Sequence, residues 1–360
     1  MRFLFRADAS VAIGSGHVMR CATLAGYLAA AGHPVHFLCR DEPGNLNAWL
    51  EQQGLPVTSL ANPSETASAE EVEIGASKAT ICSSHYDWII VDHYQLGMRW
   101  EKEMAALADR IMAIDDLGRD HRCHLLLDQN YANSIHSHYR TLGETGCDVL
   151  LGPEFALVRP EFARLRSESL GRWRNSLSRI LIFMGGADPL NETTKAINGI
   201  ALTDRRDVHV DVVIGSSNPH RSVVEVGCSM LPNAELHVQT TRMAELMAAA
   251  DCAIGAGGSS TWERCALGLP ALVTILADNQ APIAESVGAA GAHRVLGWHY
   301  SLTPESYADA LQALDDKNIE HMSIAAAAIC DGNGTARVAS RLLQTTPAIR
   351  SGERHALHHH

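Results

Sequence analysis

One histidine sits at the tip of a glycine-rich turn near the start of the chain. Residues 5–21 read FRADASVAIGSGHVMRC, with the core Gly14-Ser15-Gly16-His17. A strand that runs into a glycine turn and then a helix is how dinucleotide and phosphate loops are built. This one fits neither pattern. Met19 stands where the three-glycine fingerprint needs its last Gly, and no Lys-Ser or Lys-Thr follows the last Gly as a phosphate cradle requires. What remains is a loop suited to close backbone approach, with His17 as its only titratable tip. An imidazole there suits proton transfer near neutral pH. Residue type alone also allows a polar turn residue at this place.

The second informative stretch is IGAGGSSTWERCALGLPAL, residues 254–272. Its glycines, Gly258 among them, let a backbone approach a diphosphate. Ser259 or Ser260 can cap the next helix and donate a hydroxyl, and a helix N-terminus favours negative charge. Glu263 lies about one turn further on and can accept both hydroxyls of a ribose. The same residues also fit a capping box, with Ser260 and Glu263 spaced as S-x-x-E. MGGADP, residues 184–189, supplies a similar turn through Gly185 and Gly186. ADNQ, residues 277–280, places Asn279 and Gln280 after a strand, where amides recognise sugar hydroxyls or cap helices.

These residues need elements to hold them. The first half alternates apolar runs and amphipathic stretches: RFLFRA, HVMRCATLAGYLAAAG, PVHFLCR, NLNAWLEQQG, DWIIVDHY, MRWEKEMAALA, RIMAIDD, HLLLDQN and CDVLLGP. Strands alternating with helices predict parallel, doubly wound sheets. Polar residues gather where strands end: Asp8, Asp92-His93-Tyr94, Asp115-Asp116 and Asp128-Gln129-Asn130. Open parallel sheets bind ligands at the carboxyl ends of their strands, so these predict one edge of a cleft. Some of them are expected to be caps or turn formers. Residues 164–175 lapse into a polar run that reads as a linker, and a second alternating series follows. The expectation is an α/β chain with two Rossmann-like domains, at 1–165 and 176–345. A tail at 346–360 reads as possibly carrying a tag remnant, since residues 358–360 are His.

The bulk properties narrow the function. The chain has 360 residues, 46% hydrophobic and 19% charged, as soluble globular enzymes do. A net charge of -12 argues against a nucleic-acid or membrane-surface partner. The nine cysteines form no C-x-x-C pair, which argues against a structural zinc or redox motif. Their odd number and the chain's size suggest reduced thiols in a cytoplasm. Asp8 interrupts any leader-like apolar run, and no stretch reaches transmembrane length.

Taken together, these motifs resemble known proteins. The second half is similar to the nucleotide-sugar half of MurG-like, GT-B type glycosyltransferases. From RADASVAIGSGHVMRC through IVDHY, IDD, LLGPEFALVRPEF and MGGADP to GAGGSSTWERCALGLP, the chain resembles the PseG/SpsG family. Its namesake is UDP-2,4-diacetamido-2,4,6-trideoxy-β-L-altropyranose hydrolase, of pseudaminic acid biosynthesis and flagellin glycosylation. The resemblance implies two domains facing across a cleft, and His17 as the base that activates water to release UDP with inversion. It places Gly14, Gly16 and Arg20 on the substrate side of the first half. Gly185, Gly186, Gly258, Ser259, Ser260, Glu263, Asn279 and Gln280 fall on the UDP side. From their strand-end location, Asp92 could orient His17 or the water, and Tyr94 could bond the sugar or the base. No metal or cofactor is expected; the expected partner is a small-molecule UDP-sugar. Three alternatives stay open: a transferase that replaces water by an acceptor hydroxyl, a hydrolase for a different nucleotide-activated sugar, and a non-catalytic binding module.

Overall fold

A computed structural model describes residues 1–344, apart from 12, 61–68, 82–83, 132–134, 145, 173–175 and 206. The predicted tail, 346–360, and the end of the predicted linker, 173–175, lie outside the described residues. The first half runs β1 (Phe3–Ala7), α1 (Gly16–Ala30), β2 (Val35–Arg40), α2 (Asn47–Gln52), β3 (Val57–Leu60) and α3 (Ala69–Ile81). It continues with β4 (Tyr86–Asp92), α4 (Met98–Met104), β5 (Ala108–Ile114), β6 (Leu125–Asp128), α5 (Ile135–Gly143), β7 (Asp148–Leu151) and α6 (Pro160–Gly171). The second half runs β8 (Arg179–Phe183), α7 (Glu192–Ala201), β9 (His209–Ile214), α8 (Arg221–Ser229), β10 (Ala234–Val238), α9 (Met243–Ala249), β11 (Cys252–Ala256) and α10 (Ser260–Ala266). It ends with β12 (Ala271–Ile275), α11 (Ala281–Ala289), β13 (Arg294–Trp298), α12 (Pro304–Gln312), α13 (Asp316–Ile329) and α14 (Gly334–Gln344).

Two parallel sheets result, in the orders β3-β2-β1-β4-β5-β6-β7 and β10-β9-β8-β11-β12-β13. Both are Rossmann-like. The strands are apolar runs because helices cover both faces: all five residues of β1 and six of the seven of β4 pack inside or nearly so. Helix α1 turns a stripe of Val18, Cys21, Leu24, Ala25 and Leu28 onto the first sheet, at the spacing of a helix face. In each sheet the strand order reverses once, between β1 and β4 and between β8 and β11. A crevice opens beyond the strand ends at such a reversal. The turn carrying His17 follows β1, and Asp92 closes β4. Gly185-Gly186 follows β8, and Gly258-Ser259 follows β11. The motifs therefore occupy the crevices of the two sheets.

The predicted linker is corrected. Most of it is helix α6, which packs on the second sheet's layer. Its polar residues work as carbonyl acceptors' partners: the Arg166 guanidinium donates to Ala266 O (2.6 Å), Ala327 O (2.7 Å) and Cys330 O (2.9 Å), and Ser169 Oγ to Leu267 O (2.8 Å). Long polar side chains that stitch helix ends read in sequence as a solvated linker. The last helix makes the reverse crossing. Val338, Ala339 and Leu342 of α14 lie in the core of the first domain beside α1, and Arg341 pairs with Asp148 (2.8 Å). Where the two crossings pass, Thr335 Oγ1 donates to Val158 O (2.8 Å).

Candidate active site

Four side chains meet at the first crevice. The His17 Nδ1 lies 2.6 Å from Asp92 Oδ1. Arg20, one turn further along α1, forks onto the same carboxylate, Nε to Oδ2 at 2.5 Å and Nη2 to Oδ1 at 2.6 Å. The Tyr94 ring stands edge-on to the imidazole, 4.6 Å between centroids. His17 is only 7% exposed and Asp92 is fully buried. The turn closes because Gly14 takes a positive φ of 78°, which lets Ser10 and Gly14 exchange backbone hydrogen bonds (2.8 and 3.3 Å).

The electrostatics give each group a defined state. Burial alone would raise the Asp92 carboxyl, but Arg20 and His17 outweigh it and hold it well below the usual carboxylate range. An ionised Asp92 accepts the Nδ1–H of His17. That fixes the tautomer in which Nε2 is the open lone pair. Burial, with Asp116 adding to it, pushes the Tyr94 phenol up to about 12, so it stays protonated at neutral pH.

The second crevice faces this one. Asn279 Nδ2 donates to Tyr94 Oη across the cleft at 3.2 Å. Glu263 is oriented from below by Arg159, whose Nη2 and Nε lie 3.0 and 3.1 Å from Oε1. Arg159 in turn lies over the Phe162 ring at 5.0 Å. The capping box is not formed. Helix α10 starts at Ser260, Ser259 makes no side-chain cap bond, and the Ser260 and Glu263 side chains bond to Arg264 and Arg159. Outside that helix, the backbone N–H groups of Gly258 and Ser259 have no partner among the described residues.

Residues 179–342 match the Glycosyltransferase family 28 C-terminal domain. The chain is 28% identical over 249 residues to the UDP-2,4-diacetamido-2,4,6-trideoxy-beta-L-altropyranose hydrolase of Campylobacter jejuni, covering 69% of this chain and 81% of that one. It is 31% identical over 147 residues to the spore coat polysaccharide biosynthesis protein SpsG of Bacillus subtilis, covering 41% and 43%. Among solved structures, MurG of Acinetobacter baumannii superposes with a TM-score of 0.68 at 15% identity, over 96% of this chain and 99% of that one. These likenesses support the resemblance to the PseG/SpsG family. Its fold is GT-B.

In this chain the sequence-derived residues separate into groups. His17, Asp92 and Tyr94 come together as one cluster. The Arg20 fork is taken up by Asp92, with Nη1 3.6 Å from Asp116. Gly16 opens α1 where an added Cβ would meet nothing within 4 Å, whereas Gly185 takes a φ of 99° and Gly186 O accepts from Gly215 N (2.8 Å). Gln280 is partly used up, since its Oε1 accepts from Leu276 N (3.1 Å). Of the strand-end acids, Asp8 is a scaffold group held by Arg6 and the Arg40 backbone, with His93 3.2 Å away. Asp115 likewise bonds Arg119 and Tyr139.

Sequence reasoning passed over three contributors: Arg159, Arg264 and the separate part played by Asp116. Asp116 faces Arg20 and has an Oδ1 with no hydrogen-bond partner. Burial raises its carboxyl, with Arg20 only partly offsetting. The Arg159–Glu263 salt bridge spans 104 residues and leaves no local signature, so Arg159 could not be read from spacing. Among the described residues, the side chains with metal-ligand spacing are His209, Asp211 and Glu235. They lie toward the starts of β9 and β10, at the far end of the sheet from the crevice, and Asp211 is paired with Arg179 (2.6 Å). No helix among the described residues is long and apolar enough to cross a membrane.

Proposed function

We propose that this chain hydrolyses the anomeric C–O bond of a UDP-2,4-diacetamido-2,4,6-trideoxy sugar with inversion, releasing UDP and the free sugar in nonulosonic acid biosynthesis. The observation that carries the reading is the His17–Asp92 pair, which leaves Nε2 as an available base in a crevice facing the second domain. The likeness to the Campylobacter jejuni hydrolase supports the substrate class.

In this mechanism a water donates its proton to His17 Nε2 as its oxygen bonds to the anomeric carbon. The electron pair of the breaking C–O bond leaves with the diphosphate. Asp92 stabilises the imidazolium and, kept ionised by Arg20, does not take the proton itself. A sugar alkoxide leaving group needs an acid, which is why most inverting glycosidases carry two carboxyls. UDP departs as a stable anion and needs charge stabilisation instead, so one base suffices. The open N–H donors of Gly258 and Ser259 and the hydroxyl of Ser260 are assigned to the diphosphate, Glu263 to the ribose, and Tyr94 and Asn279 to the sugar.

A transferase reading has one observation of its own. Val11 and Ile13, on the loop that carries Gly14, are 60% and 45% exposed, an apolar rim suited to an acceptor. The two readings part in a UDP-release assay with water as the only acceptor. The hydrolase releases UDP, retains this in excess EDTA, and loses about 10²–10⁴ of kcat in His17→Asn. UDP release that appears only when an acceptor alcohol is added would establish the transferase.

A further inference from the structure

Arg264 is an arginine without an acid. It is 3% exposed, and among the described residues no carboxylate lies within ion-pair range of it. Its bonds all go to neutral oxygens: Nη1 to Ser260 Oγ (3.1 Å), Nη2 to Ala256 O (3.0 Å) and to Thr261 Oγ1 (2.9 Å). A buried cation normally costs stability unless an anion accompanies it. The fold nevertheless makes room for this one. A Cβ at Gly255 would stand 2.8 Å from Phe183 O and 3.2 Å from Arg264 Nη1, so only glycine lets the guanidinium pass behind the strand end.

What lies above it is the turn of residues 256–259. Helix α10 has seven residues, too short for its dipole to serve as the main attraction for a phosphate. A fixed positive charge beneath the turn supplies what the short helix does not. The bond to Ser260 has a second effect. With Arg264 donating to its oxygen, the Ser260 hydroxyl keeps its own hydrogen free to donate outward. The bond to Ala256 O turns that carbonyl inward, away from an anion at the turn.

We infer that Arg264 is the resident cation of the diphosphate site, acting from behind the glycine turn and through the Ser260 hydroxyl. This rests on the UDP-sugar reading above. Arg264 is a positioning residue here, since Ser260 and the turn stand between it and the ligand. Burial lowers its guanidinium to about 10, the direction expected of a cation awaiting a counter-charge.

The test is calorimetric titration of the full chain with UDP and, separately, with uridine. For Arg264→Gln and for Ser260→Ala the UDP Kd should rise about tenfold or more, as for loss of a charge-assisted hydrogen bond. The uridine Kd should stay within about twofold of wild type, because the nucleoside does not reach the turn. The double variant should be no weaker than Arg264→Gln, since the two residues act through one hydroxyl. Ser260 is partly exposed and its variant is expected to fold even if Arg264→Gln does not. In that case Arg264→Lys, which keeps the charge but loses the fork onto Ser260 and Ala256, carries the test, with the same selective loss for UDP expected. Equal losses for UDP and uridine, unchanged UDP affinity in either variant, or additive losses in the double variant would overturn the inference. Failure of the wild-type chain to bind UDP at all would instead overturn the UDP-sugar reading itself.

Discussion

Asn279 donates a hydrogen bond to the phenol of Tyr94 at 3.2 Å, and through it the two crevices share one contact. Since the amide is the donor, the Tyr94 hydroxyl retains its own hydrogen for a bound sugar or for the base. Tyr94→Phe should raise KM by about 2- to 10-fold, as removal of a hydrogen bond of ~0.5–1.5 kcal/mol does. Steady-state kinetics with Tyr94→Phe and Asn279→Ala, singly and together, measures the coupling. Strictly additive effects would show that the bond contributes nothing to turnover.

Asp92→Asn should be more damaging to turnover than to nucleotide affinity. The amide no longer holds His17 in the tautomer that frees Nε2, so kcat should fall by about 10²–10⁴. It also breaks the Arg20 fork and leaves Asp116, 3.6 Å away, as the counter-ion that remains, a loss of at most about 3–5 kcal/mol of stability for a broken buried pair. Denaturant unfolding and kcat on the same preparation separate the two effects. A variant as stable as wild type would place the Arg20 charge elsewhere.

The same carboxylate sets an acid limit. Its folded pKa is depressed, so its contribution is present above the ordinary carboxylate range and is lost as pH falls through and below that range. Wild-type stability should therefore decline on acidification below about pH 4. Asp92→Asn should show a shallower decline in urea melts from pH 6 to 3.

Glu263→Gln should weaken UDP binding by about 1–3 kcal/mol, the range for a hydrogen bond to a charged acceptor. Because Arg159 holds the carboxylate in place, Arg159→Ala should show a smaller loss of the same kind. Calorimetry with UDP decides it. An unchanged Kd in Glu263→Gln would reduce Glu263 to a partner of Arg159 alone.

Stability should also fall at alkaline pH through His121. Burial lowers its imidazole, but the Asp115 and Glu101 carboxylates beside it outweigh this and raise it to about 9. Its Nδ1 lies 2.6 Å from Glu101, and Nε2 3.4 Å from Asp115. A raised folded value means the contribution is complete below about pH 6.5, the unfolded value. It is then lost as pH climbs through 9. Urea unfolding at pH 6 and 9.5 should differ by on the order of 2–3 kcal/mol, reduced in His121→Gln.

The fold was legible because its signals are local. Apolar runs such as DWIIVDHY, and glycine turns after β1, β8 and β11, announce strands and crevices without reference to distant residues. The short strand β3, the polar helices α3 and α5 and the C-terminal helices α12 to α14 carry weaker patterns and passed unread. At the start of α7 the cap is not the adjoining Asn191: the Asp188 carboxylate accepts from Glu192 N (3.0 Å) and Thr193 N (2.9 Å). Of the site, His17 could be named from its glycine turn, and Asp92 and Tyr94 because strand ends concentrate polar residues. Their partners could not. The Arg20–Asp92 fork and the Arg159–Glu263 pair join residues 72 and 104 apart, and Arg264 is distinguished by what it lacks. Pairings of that kind are fixed by packing and leave no spacing to read.

Helices α6 and α14 each leave their own half of the chain to pack on the other, and the two strands of chain pass side by side where Thr335 bonds Val158. A Cβ at Gly334 would collide with Ala156 O, so the passing segments touch backbone to backbone. Two domains joined at a single point can swivel in any direction. Joined along a short paired seam, they would turn most easily about that seam, like a book about its spine. Such a rotation brings the page edges together, and the page edges here carry His17 and Tyr94 on one side and Asn279 on the other.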